Sequence, residues 1–80
     1  MEQGWNSVDN NPAGAADLFK QALDVSSTNS EANYGYGYAK LLQGDPTTAK
    51  RHMCKALPGV DEATKREIRG MLNRNNLACD

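Results

Sequence analysis

Two capped prolines, 34 positions apart, constrain this chain more than anything else in it. Asn11-Pro12 and Asp45-Pro46 each place a side-chain oxygen acceptor just before the one position where a helix takes proline at no hydrogen-bond cost. Shifting the chain by 34 also lays Ala15 on Ala49, Ala22 on Ala56 and Leu23 on Leu57, with Phe19 on Met53. The alanines are small positions where antiparallel helices approach closely, and the large residue between them fills the space beside that contact. A chain built this way repeats a helical hairpin and has no use for a sheet. Sustained period-2 alternation is absent and β-branched residues are few.

The remaining punctuation completes the reading. Gly44 is placed to end one helix, Pro58-Gly59 to end another, Ser30 to cap a helix opening on Glu31, and Asp61 to cap the last. A stub over residues 2–9 and four helices over about 12–25, 31–43, 46–57 and 61–75 are expected. Their apolar stripes are Ala15, Leu18, Phe19, Ala22 and Leu23; Tyr34, Tyr38, Leu41 and Leu42; Ala49, Met53, Ala56 and Leu57; and Ile68, Met71 and Leu72. Connections of two to six residues make neighbouring helices antiparallel.

Composition sets the outer bounds. Eighty residues hold one small domain with a thin core. At 39% apolar residues and a mean hydropathy of -0.72, the chain is too apolar to be wholly disordered. It holds no run near the roughly 18–20 apolar residues that span a bilayer, and no signal-peptide pattern. The net charge of -1 gives no global case for nucleic acid or an anionic membrane. Charge is uneven, however: net -3 over residues 1–30, +2 over 31–60 and 0 over 61–80.

The repeat resembles the tetratricopeptide repeat family. Over residues 31–63, Gly37, Gly44-Asp45, Ala49, Met53 and Ala56-Leu57 fall at that family's small, turn, small, large and small-plus-leucine positions. Residues 10–30 match the second half of a preceding repeat through Ala15, Phe19, Ala22 and Leu23, and Trp5 is placed for the aromatic of its first helix. Two positions depart from the pattern. Ser27 and Asp61 stand where the repeat ends in proline, and Lys40 stands where an aromatic is usual. The resemblance implies an all-α, antiparallel helix-turn-helix segment of a superhelical solenoid. Residues 1–30 would be a partial first repeat, 31–63 a second, and 61–75 a C-terminal capping helix made soluble by Lys65, Arg66, Arg69 and Arg74. Because the pattern starts part-way through a first helix, the chain is expected to be a piece of a longer protein.

The family register places Tyr34 and Tyr38 on the concave, ligand-binding face, with Tyr36 turned toward the interior of the hairpin. Tyr34 and Tyr38 are four apart and share a helix face, and tyrosine is enriched where binding energy concentrates. In the same register Lys65 and Arg69 fall beside them, and Leu42 extends the face. Partner-binding residues are therefore expected to be Tyr34, Tyr38, Leu42, Lys65 and Arg69, facing a protein or peptide with acidic groups. The competing readings are that the tyrosines merely pack against the next helix and that the basic residues only solvate the cap. Chaperone-binding members of the family clamp a terminal carboxylate with Lys and Asn. The matching positions in residues 31–43 hold Tyr34, Gly35 and Tyr38, and only Lys65 and Arg69 fit that pattern, so that ligand is not the expected one.

No cofactor, catalytic group or metal is expected. His52 and Cys54 lie about 200° apart around a helix, and no glycine-rich phosphate loop follows a strand. Lys50, Arg51 and Lys55 form a basic strip without interleaved aromatics, so neither DNA nor RNA is an expected partner. Cys54 and Cys79 leave two alternatives open. One is a disulfide stapling the last helix to its predecessor, which implies a periplasmic or exported setting. The other is a pair of free thiols, which fits the cytoplasm. The expected function is a non-catalytic protein-interaction or scaffolding module. The alternative is a solenoid end that self-associates through an N-terminal edge exposing Trp5, Leu18 and Phe19.

Overall fold

The computed structural model describes residues 10–79. They form four α-helices: α1 (Pro12–Val25), α2 (Ser30–Leu42), α3 (Pro46–Ala56) and α4 (Glu62–Arg74). A single 3-10 turn, Leu57–Gly59, joins the last two. The described residues include no strand, and none of the helices is long and apolar enough to cross a membrane. The stub expected over residues 2–9, and Trp5 within it, lie outside the described residues.

Each helix starts on the same device. The side chains of Asn11, Asn29, Asp45 and Asp61 accept from the backbone N–H three residues on, at 3.1, 3.0, 3.2 and 2.8 Å. This satisfies one otherwise orphaned donor at each start. The cap of α2 is Asn29, not Ser30, which becomes the first helical residue. The Asn29 amide oxygen reaches the Ala32 N–H, so the helix begins one residue earlier than expected. α1 and α3 begin on Pro12 and Pro46, as the 34-residue offset requires, but the caps of α2 and α4 are Asn29 and Asp61. Those two caps are 32 residues apart, two fewer than the two prolines.

Two helices end in the same way. Gly44 adopts a φ of 82°, its N–H donates to the Leu41 carbonyl, and the Asp45 N–H donates to that of Lys40 at 2.9 Å. At the end of α4, Asn76 takes a φ of 56°, and the Leu77 N–H reaches the Leu72 carbonyl at 2.8 Å. Both are left-handed terminations that satisfy the last carbonyls. In the second, Leu77 folds back onto the core.

The core has two parts. Ala15, Ala16, Phe19 and Ala39 pack between α1 and α2, with Tyr36 and Tyr38 at the edge. Met53, Ala56, Ile68, Met71 and Leu72 pack between α3 and α4, with Tyr34, Tyr38, Leu41 and Leu57 among their neighbours. Tyr38 belongs to the margin of both. The repeat positions Ala15 and Ala49, and Phe19 and Met53, are all completely buried. Burial of each large side chain contributes about 1.5–3 kcal/mol.

Glycine lets α2 approach both its neighbours. A Cβ on Gly35 would run into the Phe19 ring, and one on Gly37 would lie 2.9 Å from Met53 Cγ and 3.0 Å from the Ala49 carbonyl oxygen. Gly37 therefore marks the closest approach of α2 and α3. A polar latch ties α2 to α3 and to the loop that precedes α2. Asn33, 1% exposed, donates from Nδ2 to the carbonyls of Ser27 and Asn29, both at 3.1 Å. Its Oδ1 lies 2.8 Å from His52 Nδ1. With both Asn33 amide hydrogens spent, that oxygen is the acceptor and His52 Nδ1 carries the proton.

Candidate functional site

The last helix does not seat against α2 as α3 does. Ile68, Met71 and Leu72 occupy successive turns of α4 and point into the core with Met53. This stripe fixes the rotation of α4 and leaves two flanks. The flank facing α2 carries Arg66, Glu67, Gly70 and Arg74, which with Tyr34, Tyr38 and Met71 line a groove of about 340 Å³. A second hollow of about 300 Å³ adjoins it, bounded by Glu31, Tyr34, Gly59, Val60, Asp61 and Thr64. Tyr34 belongs to the lining of both hollows along the seam between α2 and α4.

Tyr34 spans that seam. Its hydroxyl donates to Glu67 Oε2 at 3.1 Å, and its ring meets that of Tyr38 edge to face, with centroids 6.3 Å apart. Burial, reinforced by the Glu67 carboxylate, holds the phenol protonated far above the ordinary tyrosine range. The hydroxyl thus remains a donor at any physiological pH, and it turns Glu67 toward Tyr34. Neither Arg66 nor Arg74 forms an ion pair with a described residue; among these residues the ion pair present is Lys65 with Glu62, at 3.3 Å.

The structure brings together part of the expected site. Tyr34 and Tyr38 share one wall of the groove. Lys65 and Arg69 do not join them. Lys65 is paired one turn back with Glu62, and Arg69 borders a separate hollow of about 270 Å³ with Leu57, Leu72, Asn73, Leu77, Ala78 and Cys79. The basic residues beside the tyrosines are Arg66 and Arg74. Leu42 is 46% exposed at the end of α2 and lies outside the groove lining. Tyr36 faces α1 and α3 as expected: it packs on the Phe19 cluster and meets the His52 ring edge to face at 4.7 Å. Lys40 Nζ lies over the Tyr36 ring, 5.6 Å from its centroid.

Cys54 and Cys79 are joined in a disulfide, with Cα atoms 5.6 Å apart. Of the two alternatives left by the sequence, the structure has the staple: it ties the segment after α4 to α3. The edge expected to be open is more closed than anticipated. Phe19 is completely buried beneath Gly35, and Leu18 is half-buried. The basic strip of α3 borders a hollow of about 380 Å³ whose described lining is Thr47, Lys50, Arg51 and Cys54, none of them an aromatic on which a base could stack. His52 is drawn inward, and burial, with Arg51 and Lys55 nearby, lowers its pKa below the ordinary value. The described residues include no cluster of three or more groups suited to a metal ion.

The sequence reading missed Asn33, Gly70, Glu67 and the pair Arg66–Arg74. Arg66, Gly70 and Arg74 are spaced four apart, so they form a row on one face as regular as Lys65–Arg69. Comparison with family models, curated proteins and solved structures returns no match.

Proposed function

We infer that this chain is a non-catalytic protein-interaction module whose partner lies along the α2–α4 seam. The observation behind this reading is the groove itself. A tyrosine wall on one helix faces two guanidinium groups on another that have no ion-pair partner among the described residues, across a space of about 340 Å³. Tyrosine and arginine are the side chains most enriched where binding energy concentrates. A second hollow bordered by the same tyrosine lies along the seam, which suits a peptide segment reaching both hollows better than a small compact ligand.

The architecture behind it is read as a repeat of the tetratricopeptide type, with α2 and α3 as one hairpin, α1 as the second half of the hairpin before it, and α4 as the cap. The support is the shared burial of Ala15 with Ala49 and of Phe19 with Met53, and the close approach at Gly37. The disulfide favours an oxidising, periplasmic or exported setting.

The test is site-specific photo-crosslinking in the source cell. Photoreactive residues placed at Arg66 or Arg74 are expected to capture one partner in common, and Tyr34→Phe together with Arg66→Glu should reduce that capture. Capture only from the outer face of α3, at Thr47 or Arg51, would refute the groove. Concentration-dependent sedimentation with crosslinks between copies from Leu18 would favour the self-associating alternative.

A further inference from the structure

We propose that the groove selects a peptide segment carrying an acidic side chain, and that this carboxylate sits over Gly70 between Arg66 and Arg74. The inference rests on the groove reading above and specifies its occupant.

Gly35, Gly37 and Gly70 lie in helix interiors. Such a glycine weakens its helix relative to alanine, so a fold keeps one where something needs the space. At Gly35 and Gly37 the need lies within the fold: a Cβ would strike Phe19 in one case and Met53 and Ala49 in the other. Gly70 has no such reason. Among the described residues a Cβ there would meet only the Arg74 Nη1 atom, at 3.6 Å, an ordinary contact with the end of a flexible side chain. Packing would accept alanine, and the space lies open to the groove.

That space is placed for an anion. Gly70 stands one turn from Arg66 and one turn from Arg74, and all three line the groove. The guanidinium groups have no ion-pair partner among the described residues. The one acid of this wall, Glu67, is turned toward the Tyr34 hydroxyl. Arginine presents planar paired donors that match a carboxylate, and the bare backbone at Gly70 lets such a group approach the helix surface. Glu31 and Asp61 border the second hollow with no basic residue in its described lining, whereas in the groove Arg66 and Arg74 outnumber Glu67, so an acidic residue is favoured in the groove.

The probe is a pair of six-residue peptides, acetylated and amidated so that neither has a terminal charge. One holds a central Asp among Leu and Ala, and the other holds Asn in its place. Titration is followed on the Gly70 amide by two-dimensional NMR of the oxidised, full chain. The Asp peptide is expected to shift that amide and to bind at least about tenfold more tightly than the Asn peptide, the scale of one charge-assisted contact. Arg66→Gln with Arg74→Gln should abolish the difference, and Gly70→Leu should abolish binding. Circular dichroism of each variant checks that the helices remain; Gly70→Ala, which the fold accommodates, serves as the milder block. Equal affinity for the two peptides, or an unmoved Gly70 amide with both, overturns the acidic occupant. Equal binding that is still lost in Gly70→Leu overturns it while leaving the groove reading intact. Binding undiminished in Gly70→Leu refutes both.

Discussion

The interface between α2 and α3 and the seam between α2 and α4 use glycine in opposite ways. At the first, Gly37 brings backbone against side chain so closely that a single Cβ would be 2.9 Å from Met53, and the buried Asn33–His52 contact locks the register. At the second, Gly70 has room to spare, and α4 is held by Ile68, Met71, Leu72 and the Cys54–Cys79 bridge while its α2-facing flank stands off. One interface spends its small residues on contact and the other on space. A sealed interface makes a scaffold, whereas a helix that stands off leaves somewhere for another molecule to lie.

Four measurements would break or sharpen that contrast. The largest effect is expected from the bridge. Cys54→Ala with Cys79→Ala should cost about 3 kcal/mol by loop entropy, measured by urea unfolding. Hydrogen exchange should locate the loss in α4 amides, with α2 and α3 little changed. Uniform loss across all helices would show that the two regions are not separable. Next, Gly37→Ala should destabilise by about 2 kcal/mol, because overpacking against the buried Met53 side chain and the Ala49 carbonyl exceeds the gain in helix propensity. An unchanged melting temperature would deny the close contact. The sign should reverse at the seam: Gly70→Ala should stabilise by up to about 1 kcal/mol, raising the melting temperature by roughly 4–8 °C for a domain of this size. A drop there would mean the groove is closed.

The smallest effect is the pH response of the latch. The folded-state pKa of His52 lies below the ordinary 6.5 because burial, Arg51 and Lys55 all disfavour the cation. The unfolded chain then binds the proton more readily. Stability should hold above pH 6.5, decline as the pH falls below it, and level off once the folded imidazole protonates. The caps act in a lower window. Asp45 and Asp61 have pKa values depressed below 3.8 by the hydrogen bonds from Thr48 and Thr64. Their contribution is intact above that value and is lost as the pH falls through the depressed range. Chemical denaturation at stepped pH, with His52→Gln as the comparison, separates the two windows.

Much of the fold was legible in the sequence because its signals are local. An Asx side chain capping the N–H three residues on, a proline in a first turn and a glycine in left-handed backbone all act within one turn, and they set the helix ends to within a residue or two. The pairing of alanines at a 34-residue offset was legible for a related reason, since small residues leave few alternatives for how closely two helices pack. The site was only half legible. The stripe Ile68, Met71 and Leu72 fixes which side of α4 faces inward but is nearly symmetric about its own centre. One flank carries Lys65 and Arg69, the other Arg66, Gly70 and Arg74. Which flank meets α2 depends on the direction in which the chain passes from α3 through Pro58-Gly59, a three-dimensional choice that no spacing records. Asn33 was missed because a lone asparagine four residues into a helix pattern looks like a solvent-facing residue until its two carbonyl partners and His52 converge on it.

The turn between α2 and α3 has a stereochemical consequence. Gly44 holds a φ of 82°, in the region natural to the mirror-image amino acids, and nothing lies within 4 Å of where a Cβ would project. The chain reverses direction here by borrowing, for one residue, the opposite handedness. In a chemically synthesised copy, D-alanine should fit at this position without strain, while L-alanine would oppose the turn by roughly 1–2 kcal/mol. The hairpin's reversal thus hangs on the configuration of a single α-carbon, which glycine leaves unspecified.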